Sequence, residues 1–201
     1  MFSTVAHAGG IGIVGVGGIH QENLYVYDNA DVTGPETNQW VVHQMRPSYG
    51  FGIQGTLGDR DDRVQGIFRF YYLQDAPASS EGVAQKAADL AAAEDVSVQP
   101  DQLLFATPSP DPRQLGMATA GVQWGILPEP GALQIIAVTS IGAGALTADS
   151  SEFVLVELGG GATYGITENI QLNAELVYDL RVRKAFYQGA AANVGVRFLF
   201  D

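Results

Sequence analysis

The chain has no cysteine, few basic residues and no long hydrophobic run, and each scarcity removes a class of protein. Without cysteine there is no disulfide framework and no thiolate-ligated metal. Ten Lys and Arg against 22 Asp and Glu leave a formal charge of −12, the wrong sign for a phosphate backbone, so nucleic acid is excluded as a partner. The longest apolar run, Ala132 to Leu146, is interrupted by Gln134, Thr139, Ser140, Gly142 and Gly144. It falls short of the roughly 20 residues that a membrane-spanning helix needs. The 25 glycines argue against a helical bundle. A mean hydropathy of +0.07 suits a soluble chain, and equally one whose strands turn one polar face inward.

What is present is alternation. From Ile170 to Tyr178 the even positions are Ile170, Leu172, Ala174, Leu176 and Tyr178, and the odd ones between are Gln171, Asn173, Glu175 and Val177, with Asp179 following. Successive side chains of a strand point to opposite faces, so this segment has one apolar and one largely polar face. The last strand repeats it, with Val194, Val196, Phe198 and Phe200 against Asn193, Gly195 and Arg197. Alternation and turn signals together predict eight strands. The first covers Gly10 to Ile19 and continues toward Tyr27; the second centres on Tyr49 to Leu57 and the third on Val64 to Tyr72. The fourth covers Ala118 to Ile126, the fifth Leu133 to Leu146 and the sixth Phe153 to Ile166, ahead of the two already described.

The connections alternate in length. Gly58–Asp62, Leu127–Gly131 and Thr167–Asn169 are tight, whereas the connections near Asp28–Asn38 and Asp75–Arg113 are long. Short turns at one rim and long loops at the other are the habit of a transmembrane barrel. On the apolar face, Tyr49, Tyr72 and Tyr178 fall near one end of their strands and Trp124, Tyr164, Phe198 and Phe200 near the other. Two such aromatic girdles are expected at the two headgroup levels. The expected fold is an all-β, eight-stranded antiparallel up-and-down transmembrane barrel over residues 9–201. One short helix is expected in an extracellular loop near Val83–Val96, capped by Ser79 or Ser80, with an apolar stripe of Val83, Ala87, Leu90 and Ala91. Residues 1–8, with Val5-Ala6-His7-Ala8 in the form of a cleavage site, read as a signal-peptide remnant or a disordered lead-in.

The stretch Tyr164-Gly165-Ile166-Thr167-Glu168-Asn169-Ile170-Gln171-Leu172-Asn173-Ala174-Glu175-Leu176-Val177-Tyr178, followed by an alternating aromatic last strand, resembles small eight-stranded outer-membrane proteins of the OmpA-transmembrane-domain, OmpX or OmpW type. That family commonly ends on an aromatic residue, whereas here Asp201 follows Phe200. The resemblance implies the outer membrane of a Gram-negative bacterium, with its lipid and lipopolysaccharide as surroundings and a protein partner at the acidic outer loops.

Eight strands enclose just enough room for side chains. The inward set Gln54, Arg63, Gln65, Arg69, Gln123, Glu157, Asn173, Glu175, Asp179, Asn193 and Arg197 is expected to fill that space. Its charged members, Arg63, Arg69, Glu157, Glu175, Asp179 and Arg197, would pair, because lone buried charges are too costly. No catalytic, metal or cofactor site is expected. Two alternatives compete with a structural or interaction role. One is a lipid A deacylase or acyltransferase using His20 or His43 with Ser48, although a hairpin centred near Thr33 sets His20 beside Arg46 instead. The other is a soluble lipocalin-like barrel, which would be apolar within and polar outside. The acidic clusters Glu22, Asp28, Asp31, Glu36 and Asp89, Glu94, Asp95, Asp101, Asp111 lack the regular calcium-loop spacing and read as a hydrated outer surface.

Overall fold

A computed structural model describes residues 9–27, 38–59, 62–77, 79–94, 96, 100, 104–105, 113–127, 132–146, 151–183 and 186–200. The expected lead-in 1–8, most of the loop 28–38, the turn residues 128–131 and the acidic residues Asp95, Asp101 and Asp111 lie outside them. The strands are β1 (Gly9–Tyr27), β2 (Gln39–Leu57), β3 (Val64–Asp75), β4 (Leu104–Phe105), β5 (Arg113–Gly125), β6 (Leu133–Leu146), β7 (Ser151–Gly165), β8 (Ile170–Val182) and β9 (Phe186–Phe200). One helix, α1 (Ser80–Ala93), follows β3.

Neighbours pair antiparallel in the order β2-β3-β5-β6-β7-β8-β9-β1, and β1 pairs with β2 to close the cylinder. Closure leaves no sheet edge around the eight long strands, the condition for burying a backbone in hydrocarbon. The two-residue β4 stands outside the cylinder, pairing with Val26 and Tyr27 of β1.

All eight expected strands are present. β1 runs unbroken to Tyr27, the continuation expected of it, and others reach further than alternation suggested: β2 begins at Gln39, β3 ends at Asp75 and β5 begins at Arg113. β1 and β2 pair along their whole length, from Gly9↔Leu57 to Tyr27↔Gln39. The partnership of β1 with β9 stops at His20↔Gly189. At about 3.3 Å per residue the hairpin therefore rises well above the rest of the wall.

Polarity is inverted relative to a soluble barrel. Ile13, Phe51, Phe70, Ile141, Leu158, Leu176, Val194 and Phe198 are exposed on the outside, while Arg69, Glu157, Glu175 and Arg197 are buried within. This excludes the lipocalin-like reading. Tyr49, Tyr72 and Tyr178 face outward toward the α1 end, and Trp124, Tyr164, Phe198 and Phe200 face outward toward the tight-turn end. The Phe51 and Tyr72 rings lie 6.2 Å apart on that surface. Phe68 folds over its cross-strand partner Gly55, where a Cβ would stand 1.9 Å from the ring, so glycine is required for the aromatic to lie flat.

Ser79 starts α1 by accepting a hydrogen bond from the Gly82 N–H at 3.1 Å. The helix runs over residues 80–93, slightly earlier than the expected 83–96. Its buried stripe is Val83, Ala84, Ala87, Ala88 and Ala91, and Leu90 is exposed instead of buried. The stripe centres on the alanines because small side chains let the helix approach Trp40 and Val42 closely. Those two residues, with Leu24 and Val26, form the inward face of the projecting hairpin on which α1 packs. Trp40 Nε1 donates to Glu94 Oε2 at 3.1 Å and ties down the helix end.

Candidate functional site

The interior is stratified, and the strand register decides which residues share a layer. Toward the tight-turn end, odd positions of β3, β5, β7, β8 and β9 bring together Arg69, Gln123, Glu157, Glu175 and Arg197. Arg69 meets the Glu175 carboxylate directly and lies 3.6 Å from Glu157. Ser140 donates its hydroxyl proton to Glu157. Arg197 donates to Gln123 at 3.0 Å and Gln171 at 3.3 Å, and sits 3.5 Å from Glu175. Gln123 donates to Gln65 at 3.1 Å, and the Gln54 amide lies between the two guanidinium groups. Two guanidinium groups face two carboxylates, so the layer is neutral as well as hydrogen-bonded, the condition for burying charge at tolerable cost.

Above it lies an apolar layer of Val14, Val16, Tyr71, Leu73, Leu115, Met117, Phe153 and Leu155. Asn193 belongs at this boundary and donates to the Tyr71 hydroxyl at 3.3 Å. Above that is a second charged layer. Glu22 is held between Arg46, at 2.7 Å, and Arg113. Arg113 also approaches Asp75, at 3.8 Å. Asp179 lies 3.1 Å from His20 Nδ1 and 3.2 Å from Arg181 Nε. Arg46 further donates to the Ala76 carbonyl at 2.9 and 2.7 Å, fastening the chain as it leaves β3 for α1. A pocket of about 70 Å³ opens in this layer.

The structure separates the expected network into parts. Arg69, Glu157, Glu175 and Arg197 share the lower layer, and Asp179 belongs to the upper one. Arg63 belongs to neither: it is exposed at the tight-turn rim just before β3 and donates to the Gly125 carbonyl at 3.3 Å. Its inward parity carries no weight there, because the strand that would enforce it has not begun.

The upper layer's His20, Glu22, Arg46, Asp75, Arg113 and Arg181 were not singled out in sequence as a network. The signal was available. His20 and Glu22 continue the inward parity of Val14 and Val16, and Arg46 and Ser48 continue that of Gln54, once β1 and β2 are read to full length. The expected pairing of His20 with Arg46 is present. His43 points outward and meets Asn23 Oδ1 at 2.6 Å, on the opposite face from the buried Ser48. A His43–Ser48 couple is therefore ruled out by parity. Among the described residues, no group of His, Asp and Glu is arranged to hold a metal ion.

A closed cylinder with an apolar exterior, two aromatic girdles and an ion-paired interior is a transmembrane β-barrel. Its fold is that of the small eight-stranded outer-membrane barrels. The crystal structure of Neisserial surface protein A is similar over 94% of this chain and 97% of that one, at 12% identity and a TM-score of 0.50. Ail, the attachment invasion locus protein of Yersinia pestis, aligns over 96% and 99% at 10% identity and a TM-score of 0.46. The outer membrane protease OmpT of Escherichia coli aligns over 100% and 99% at 8% identity and a TM-score of 0.37. The first likeness is one of fold, and the two weaker ones carry no further argument. No protein-family model matches the chain, and no curated protein matches it in sequence.

Proposed function

We propose that this chain resides in the outer membrane of a Gram-negative bacterium and serves as a non-catalytic structural or interaction component. Its working surface is the end that carries α1. The observation that supports this reading most is the filled lumen: a neutral ion-paired layer, an apolar layer, a second charged layer and the α1-capped hairpin lie in series along the axis. A bore built this way offers no open bed for solute passage, as expected for eight strands. The hairpin and helix, by contrast, stand beyond the outer girdle and pack against each other, which suits recognition. Outer-membrane lipid and lipopolysaccharide surround the belt in this reading, a protein partner meets the acidic outer surface, and neither cofactor nor nucleic acid is involved.

Two measurements on one preparation test it. The protein should fractionate with outer membranes and migrate differently on gels before and after boiling. Protease added to intact cells should cut within residues 76–113 and leave Gly58–Asp62 untouched. Identical migration with all protein soluble would overturn the membrane assignment, and cleavage at Gly58–Asp62 in unbroken cells would invert the orientation.

A further inference from the structure

The pocket in the upper charged layer sits at a break in the strand pairing among the described residues. Pairing of β1 with β9 ends at His20↔Gly189, and β1 regains a described neighbour on that side only at Val26, opposite β4. Gln21 and Glu22 of β1 form one side of the seam, and Arg183 and Tyr187, flanking the β8–β9 connection, form the other. Leu146 and Phe153 make the floor. The seam lies next to Tyr178 of the outer aromatic girdle, whose cross-strand partner is Ala190.

The chain carries ten basic residues against 22 acidic ones, yet Arg46, Arg113, Arg181 and Arg183 all line this one pocket. Three carboxylates answer them. Glu22 pairs with Arg46 and Arg113, Asp75 lies by Arg113, and Asp179 lies by Arg181. Arg183, exposed at the rim, has no ion pair among the described residues.

A second polar group is also unanswered among the described residues. His20 is only 4% exposed, and its Nε2 has no hydrogen-bond partner. Arg181 approaches its Nδ1 at 2.7 Å, and a guanidinium can only donate. The Asp179 carboxylate, which can only accept, lies 3.1 Å from the same nitrogen, so Nδ1 sits between a donor and an acceptor, and Nε2 is the ring nitrogen left without a partner among the described residues. The ring is held there because residue 189 is glycine: a Cβ would stand 2.3 Å from His20 Nδ1 and 2.9 Å from the Asp179 carboxylate.

From the four guanidinium groups lining it, the Arg183 side chain without an ion pair among the described residues, the unpartnered ring nitrogen and the end of the β1–β9 pairing, we infer that this pocket binds an oxyanion of the phosphate class. The anion is either free or the headgroup phosphate of a lipid entering through the β1–β9 seam. Charge-assisted donation from Arg183 would hold it, with His20 Nε2 as a second donor when the ring carries its proton there, and the ion-paired Arg46 and Arg113 stand behind. The volume, roughly five water positions, matches one such group and not a larger head.

The test uses the full chain refolded in a non-ionic detergent and titrated with inorganic phosphate, with the ring nitrogens of its three histidines followed by NMR. Phosphate should shift His20 Nε2 saturably and leave His43 in place. Arg183→Gln, at an exposed residue outside the ion-pair network, should fold normally and weaken binding about tenfold or more. The same titration in bilayer nanodiscs separates the sources. If phosphatidic acid in the bilayer abolishes the response to added phosphate, the lipid headgroup is the occupant. If the response is equal with and without phosphatidic acid, the free anion is. A His20 signal indifferent to both, or an Arg183→Gln protein that titrates as the wild type does, would overturn the proposal.

Discussion

Val194 shows how one side chain reads out its surroundings. It is 63% exposed on the outside of β9, midway between Phe198 at the tight-turn girdle and Ala190 beside Tyr178 at the other. A cation there would sit in the middle of the hydrocarbon. Val194→Arg should therefore lower stability by about 2–4 kcal/mol in a refolding titration in lipid. Leu172 also faces outward but pairs with Tyr164 of the girdle, so Leu172→Arg should cost clearly less. Equal losses at the two positions would mean that the belt is not where the aromatics place it. The contrast between Arg69 and Arg63 was only half legible for a related reason. Parity assigns a face, but it does not say whether the residue lies within the strand or at its rim.

Among the elements, α1 and the hairpin beneath it are the part that alternation did not describe. Between the girdles, hydrocarbon on one side and a narrow polar lumen on the other force the two-residue pattern, so β8 and β9 could be read directly. Beyond the outer girdle neither face meets lipid. Gln39–Ser48 mixes Trp40 and Val42 inward with His43 and Met45 outward, and without a consistent polarity it reads as loop. The helix was visible from its composition and cap, but its docked face was set by a surface that the sequence alone did not display. Ala87 is fully buried against that surface. Ala87→Asp would place an uncompensated carboxylate there, at about 3–5 kcal/mol if the helix stayed docked. The helix should lift away, making trypsin cleavage at Lys86 fast while the barrel keeps its heat-modifiable band. Unchanged resistance to trypsin would show that the docking is not what protects this segment.

At the scale of the whole molecule, stability and closure of the lumen rest on the same few groups. Glu175 faces both Arg69 and Arg197, so Glu175→Gln leaves two guanidinium groups before the single carboxylate of Glu157. The loss should be about 3–5 kcal/mol, measured by urea titration in lipid vesicles, because a buried charge is left unmatched. A loss under about 1 kcal/mol, the scale of an exposed pair, would mean that water reaches the layer freely. The lower layer could be anticipated because its members lie on strands whose alternation was plain. Of the upper layer only Asp179 was anticipated, since Arg46, Asp75 and Arg113 sit where β2, β3 and β5 were read short.

The Arg69–Glu175 pair joins residues 106 positions apart, on β3 and β8. A half-formed sheet lying flat in a bilayer would hold that guanidinium and that carboxylate apart in oil, each without its counter-ion. No such species can persist at the membrane midplane. The strands must therefore cross the bilayer already curled around one another, with the ions face to face before hydrocarbon surrounds them. For this chain, entering the membrane and becoming a cylinder are a single event.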